Sequence, residues 1–224
     1  MKDRIYTIST AHLDTSWLWT QKETVEVYLK RTLDTNFDYF LKYPNYKFNF
    51  EGSYRYKLIE EYYPDKFKKL QGYVKNGQWN ISGSCFENGD TNIPSPEALI
   101  RNVLYGNSYF KEKFDKKCND IFLPDCFGFG RALPQIMTHC GLIGFSTQKL
   151  SWGSSIEPPF EFGKWKALDD SFVYTSLKPG NYSTILKEIR SEYTLNKLED
   201  NKNTINIPFT MLYYGTGDRG GGPH

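Results

Sequence analysis

The chain has 224 residues, 39% of them apolar and 24% charged, and its 28 Lys and Arg against 26 Asp and Glu leave a net charge of +2. That length allows one large domain with a substantial core, the balanced charge gives no reason to expect nucleic acid or an anionic membrane as partner, and no apolar run approaches the ~18 residues of a membrane span. Cys85, Cys118, Cys126 and Cys140 stand far apart with no C-x-x-C pair, which argues against a four-cysteine zinc site and against a disulfide framework.

No basic stretch followed by a long apolar segment opens the chain, so a cytoplasmic location is the expectation and the sequons at Asn80 and Asn181 read as coincidental. Apolar runs predict strands at residues 4–10, 48–51, 79–83, 121–124, 144–147, 172–177 and 208–214. Helical patterns lie between them. Residues 65–76 place Phe67, Leu70 and Val74 on one face and stop at Gly77. Ser95-Pro96-Glu97 supplies a cap, a first-turn proline and an early acid, and Leu99, Ile100, Val103, Leu104 and Phe110 follow near a 3.6-residue period. Residues 132–140 stop at Gly141 in the same way as the first helix. Seven strands with intervening helices predict a mostly parallel, seven-stranded β/α barrel-like domain, whose ligands bind at the carboxyl ends of the strands.

That rule gathers the candidate chemistry at one rim. His12 and Asp14 follow the first strand, Asp90 the third, Asp125 the fourth and Asp218 the last. Two positions apart on extended chain, His12 and Asp14 share a face and could reach one cation; a surface pair or a strand-end cap uses the same residues. His139 sits where a helix's last turn favours a cation, and His224 is terminal. Asp125, within "LPDCFGFGRALPQ", is either an Asx-turn residue or a carboxylate held against Phe127 and Phe129. The glycines around Asp218 in "GTGDRGGGPH" lack the Gly-Lys-Ser/Thr of a phosphate loop. They permit close approach of backbone and substrate, and with few apolar side chains among them the segment is expected to be loosely held.

Together these stretches resemble glycoside hydrolase family 38, the α-mannosidases. "AHLDTSWLW" is similar to that family's opening His-x-Asp-x-x-Trp segment, and "GQWNISGSCFENGDTNIPSPEALIRNVLYGNSYFKEKF" to its next block. "LPDCFGFGRALPQIMTHCGL" resembles its Pro-Asp-x-Phe-Gly block and "GTGDRGGGP" a glycine-rich segment of one branch, with Arg219 where another glycine is expected. The resemblance runs in family order from about residue 4 to the end. It implies that residues 1–224 are the N-terminal α/β catalytic domain of an α-mannosidase, incomplete at its C-terminus, with downstream domains to follow. It implies a zinc ion, or a similar divalent cation, held by His12, Asp14 and Asp125, the fourth ligand being a histidine from a later His-Asp segment.

Asp125 is further implied as nucleophile and Asp218 as acid/base, with Trp17 and Phe127 packing against the sugar and Trp19 left to the core. In a retaining glycosidase of this kind Asp125 must stay ionised beside the cation, and Asp218 must begin protonated. The expected substrate is a terminal α-mannoside. Two other readings stand beside this one: a metal-dependent carbohydrate deacetylase, in which Asp125 would be a base, and an inactive sugar-binding fragment of a truncated glycosidase.

Overall fold

The structure, a computed structural model, describes residues 2–152 and 157–223; His224 lies outside them. Among the described residues, eight strands form two four-stranded sheets. The first has the order β3-β2-β1-β8, from Trp79–Ser82, Phe48–Glu51, Arg4–Ala11 and Phe209–Thr216, all parallel. The second has the order β4-β5-β7-β6, from Asp120–Phe122, Gly144–Ser146, Phe172–Ser176 and Phe162–Lys166; β6 alone runs antiparallel, against β7. The seven expected strands are present within one or two residues at each end.

A continuous seven-stranded barrel is not what they form. Gly83 turns the chain out of β3, and β3 meets β4 through the Ser84 N–H donating to the Asp120 carbonyl, 2.9 Å, rather than through a ladder. On the other side, β8 donates from Tyr213 to the Pro179 carbonyl and from Gly215 to the Thr184 carbonyl, so residues beyond β7 and not β7 itself lie against it. The eighth strand, β6, carries a polar face typical of an antiparallel edge and packs Trp165 on Phe145 at 5.2 Å.

Helices wrap the outside. Residues Gln21–Glu23 (α1), capped by Thr20, run into a π-helical stretch, Thr24–Leu29, and then α2, Lys30–Lys42. Next come α3, Ser53–Tyr62, and α4, Pro64–Lys75, followed by Gly77 at φ +80°. Ser95 caps α5, Pro96–Phe114, its Oγ accepting from the Ala98 N–H as the Ser-Pro-Glu signal predicts. Then follow α6, Leu133–His139, and α7, Glu192–Ile205. Among the described residues no helix is long and apolar enough to cross a membrane.

The register of β1 on β8 fixes the site. Eight consecutive residues pair, from Arg4 with Phe209 to Ala11 with Thr216, which brings the ends of both strands to one rim. At Gly215 (φ +150°) a Cβ would stand 1.7 Å from the Thr10 carbonyl, so only glycine lets the two strands approach there. Beyond them the glycine-rich segment is not loose. Asp14 N–H donates to the Asp218 carbonyl and Gly220 N–H to the His12 carbonyl, both 2.9 Å. Arg31, Asn36 and Tyr39 of α2 donate to the carbonyls of Arg219, Gly221 and Pro223. Backbone pairing and side-chain donors from α2 supply what apolar burial does not.

Candidate active site

His12 is buried at the end of β1, and its two ring nitrogens face different groups. Nδ1 lies 2.6 Å from Glu51 Oε1, on the fully buried last residue of β2. Nε2 faces Asp14 Oδ1 at 3.3 Å and Asp125 Oδ2 at 4.0 Å, and is buried without a hydrogen-bond partner. Residues separated by more than a hundred positions in the chain thus meet around one ring. Burial opposes charge on His12 most strongly, yet the Glu51 carboxylate, bonded at Nδ1, and the Asp14 carboxylate near Nε2 outweigh it and push the imidazole up to about 9. The surroundings favour positive charge at this point.

Asp125 follows β4 and is mostly buried. Its Oδ1 accepts from the Lys149 ammonium, which also lies 4.3 Å from the centre of the Phe127 ring and 3.9 Å from that of Trp152. The Asx turn considered at Asp125 is thereby displaced by a buried ion pair. Such a turn occurs instead at Asp90, whose Oδ1 accepts from the Asn92 and Ile93 N–H groups. Asp218, half-buried and at φ +59°, accepts a 3.0 Å hydrogen bond at Oδ1 from the Tyr182 hydroxyl. The Tyr182 ring lies 5.4 Å from that of His12.

These groups line one cleft. Asp14, Trp17, Asp125, Phe127, Lys149, Trp152, Tyr182 and Asp218 surround a space of about 360 Å³. A smaller space of about 160 Å³ adjoins it and reaches His12 and Asp90. Trp17 and Phe127 are 60% and 78% exposed, well beyond what a core ring shows, and so offer apolar faces to whatever enters. Trp19, by contrast, is buried, with its indole N–H donating to Thr24 Oγ1 at 2.9 Å.

Lys149, Tyr182, Glu51 and Trp152 are site residues that the sequence reading did not single out. Each is isolated from the His-x-Asp and Pro-Asp segments by tens of residues. The position of Glu51 at a strand's carboxyl end was a usable signal, since the same rule selected Asp125.

The residues fit a divalent cation by donor chemistry, an imidazole nitrogen with two carboxylates, and by the orphaned Nε2 in surroundings that favour positive charge. Ligands ~2.1 Å from one tetrahedral ion lie roughly 3.4 Å apart. Asp14 stands at that separation from Nε2, whereas Asp125, drawn toward Lys149, stands outside it. Among the described residues, accordingly, no three His, Cys, Asp or Glu side chains close into a metal-binding group by themselves.

A parallel α/β domain with an imidazole and carboxylates at the strand rim, beneath exposed aromatic rings, has the layout of a carbohydrate-processing domain. The chain belongs to the glycosyl hydrolases family 38, whose N-terminal domain matches residues 2–224. It is 36% identical over 223 residues to alpha-mannosidase G of Dictyostelium discoideum, covering 98% of this chain and 20% of that protein. To human alpha-mannosidase 2C1 it is 32% identical over 219 residues, covering 98% of this chain and 21% of the relative. The fold matches the crystal structure of an alpha-mannosidase from Enterococcus faecalis V583 with a TM-score of 0.79 at 19% identity, over 99% of this chain and 26% of that one. The chain therefore spans about a fifth of the length of these curated relatives.

Proposed function

We propose that this chain supplies the catalytic cleft of a metal-dependent retaining α-mannosidase that cleaves terminal α-mannosidic linkages. The observation that carries the reading is the meeting of Asp125 and Asp218, from different sheets, in one cleft rimmed by Trp17, Phe127 and Trp152. Two carboxyl groups across a sugar-sized space are what glycoside hydrolysis uses, one acting on the anomeric carbon and the other on the departing oxygen. Trp17 and Phe127 cover the apolar face of the pyranose and exclude water from it.

Asp125 attacks the anomeric carbon as the glycosidic bond breaks, forming a glycosyl ester. The Lys149 ammonium pairs with Asp125 Oδ1 and aims the carboxylate. Asp218 gives its proton to the departing oxygen. Because the Tyr182 hydroxyl occupies Oδ1, that proton is carried on Oδ2. In the second step Asp218, now a base, takes a proton from water, and the resulting attack on the anomeric carbon releases Asp125 and mannose with net retention. His12, Asp14 and Asp125 would hold a zinc or similar ion, which would supply electrostatic grip on sugar hydroxyls. The downstream length of the relatives is where further ligands and substrate contacts are expected.

The test uses the full-length protein. Incubation with a slow, activated fluoromannoside is expected to leave a covalent sugar on Asp125, identified by peptide mass spectrometry. Asp125→Ala is expected to lower turnover of an aryl α-mannoside by on the order of 10⁴-fold or more. Deacetylation without any adduct would replace this reading with the hydrolytic-base one.

A further inference from the structure

Glu51 has no role in the chemistry just described, yet it is fully buried and spends its carboxylate on the site. Its Oε1 accepts from the Asn88 amide at 2.8 Å and meets His12 Nδ1 at 2.6 Å, while its Oε2 is buried without a partner. A carboxylate is an acceptor only, so Nδ1 must carry the proton. An imidazole that ligates a cation keeps one such proton, so the lone pair it offers is on Nε2, the atom that faces Asp14 and Asp125.

We propose that Glu51 is a positioning residue that fixes the tautomer and ring plane of His12, presenting Nε2 as a ligand to the cation. This rests on the metal reading above. Burying a carboxylate is costly, and an apolar residue of similar size at this position would pack at least as well. Its presence here is explained by what it does to His12. Outer partners of metal-bound histidines act in this way generally.

The residues after Glu51 extend the same support to the backbone of the His-x-Asp segment. Gly52, at φ +74°, leads into α3, and a Cβ there would stand 2.1 Å from Arg55 Nη1. The turn thus needs glycine both for its dihedral and for the room it gives Arg55. The Arg55 guanidinium, 1% exposed, donates from Nε to the Leu13 carbonyl at 2.7 Å and pairs through Nη1 with Glu87 Oε1 at 2.9 Å. Glu87 in turn accepts from the Thr15 hydroxyl. Residues 51–55 therefore grip the ring of His12 and the chain on both sides of Asp14.

The test measures zinc affinity of the full-length protein by competition with a chromophoric chelator, for wild type, His12→Ala, Glu51→Gln and Asn88→Ala. His12→Ala is expected to lose the ion. Glu51→Gln is expected to bind it about 10–100-fold more weakly, and Asn88→Ala to weaken it in the same direction by less. In the zinc-loaded wild type, ¹⁵N spectra of His12 are expected to show the proton on Nδ1. Wild-type affinity in both Glu51→Gln and Asn88→Ala, with loss in His12→Ala, would overturn the positioning role while leaving the metal site standing. No His12-dependent zinc in wild type would overturn both. Should Glu51→Gln fail to fold, Asn88→Ala and the wild-type spectrum decide: a His12 proton on Nε2 sinks the proposal.

Discussion

The two sheets flank the same cleft but are built to different standards. Behind the first lies a dense aromatic core, in which Trp79 touches the rings of Phe37, Phe40, Phe48, Phe50 and Tyr56, and helices α2, α3 and α4 cover it. The second has strands of three to five residues over a smaller core of Ile121, Leu123, Leu133, Met137, Leu142, Phe145 and Val173. His12, Asp14 and Asp218 leave strands of the first sheet, whereas Asp125 and Lys149 come from loops of the second. The difference separates two tasks. The first sheet holds its groups through buried hydrogen bonds, and the second presents a carboxylate, Asp125, between the Lys149 ammonium and the His12 ring.

The largest effect expected from the first-sheet side is at Asp218. Asp218→Ala in the full-length protein should slow hydrolysis of natural mannosides by about 10²–10⁴-fold. Aryl mannosides with nitrophenolate-like leaving groups should suffer much less, because such groups depart without protonation. Equal losses on both substrates, measured as kcat/KM, would remove Asp218 from the acid role.

The contrast in packing can be tested by truncation. Trp79→Ala, at a fully buried ring whose indole N–H donates to Tyr56 Oη, should cost about 3–5 kcal/mol of unfolding free energy. Met137→Ala, equally buried in the second core, should fall toward the lower end of the ~2–5 kcal/mol range, because Met surroundings repack more easily. Denaturant melts that reverse this order would break the comparison.

A smaller effect is expected at the seam between the sheets. Burial pushes the Asp120 carboxyl up to about 6, against hydrogen bonds from the Gly83 and Asp120 backbone. A carboxyl whose folded pKa is raised contributes stability that is fully present below its unfolded pKa and is lost as pH rises through the folded one. Asp120→Asn should therefore raise stability by about 1–2 kcal/mol at pH 7–8 and change little at pH 3.5. Thermal melts across that range check the sign.

The smallest effects belong to the rim. Trp17→Ala and Phe127→Ala remove exposed rings, so folding stability should move by no more than about 0.5 kcal/mol. Loss of a ring on the sugar face, worth about 0.5–1.5 kcal/mol, should raise KM roughly two- to tenfold. A KM unchanged in both variants would take the rings out of the substrate's path.

Much of this was legible in the chain itself. Apolar periodicity located all seven parallel strands, and the Ser-Pro-Glu signal located α5, because both depend on interactions within a few residues. The rule that ligands gather at strand carboxyl ends drew His12, Asp14, Asp125 and Asp218 to one rim, and the structure brings them there. The edge strand β6 escaped notice, since exposed residues such as Lys164 and Lys166 give no apolar run. The tail around Asp218 was misjudged for a related reason. Its order comes from carbonyls bound by Arg31, Asn36 and Tyr39, and a glycine-rich sequence shows none of that.

By itself, then, the sequence determined the seven parallel strands, the Ser95 cap, the family and the candidacy of His12, Asp14, Asp125 and Asp218, all of which follow from local spacing and motif. Only the tertiary structure decided that the strands divide into two sheets, that Glu51 faces His12 Nδ1, that Lys149 takes Asp125 and that Tyr182 takes Asp218. The physical reason is that a hydrogen bond or ion pair between side chains on separate strands depends on where the intervening chain returns. No pattern within a window of residues records that return; the strand register does.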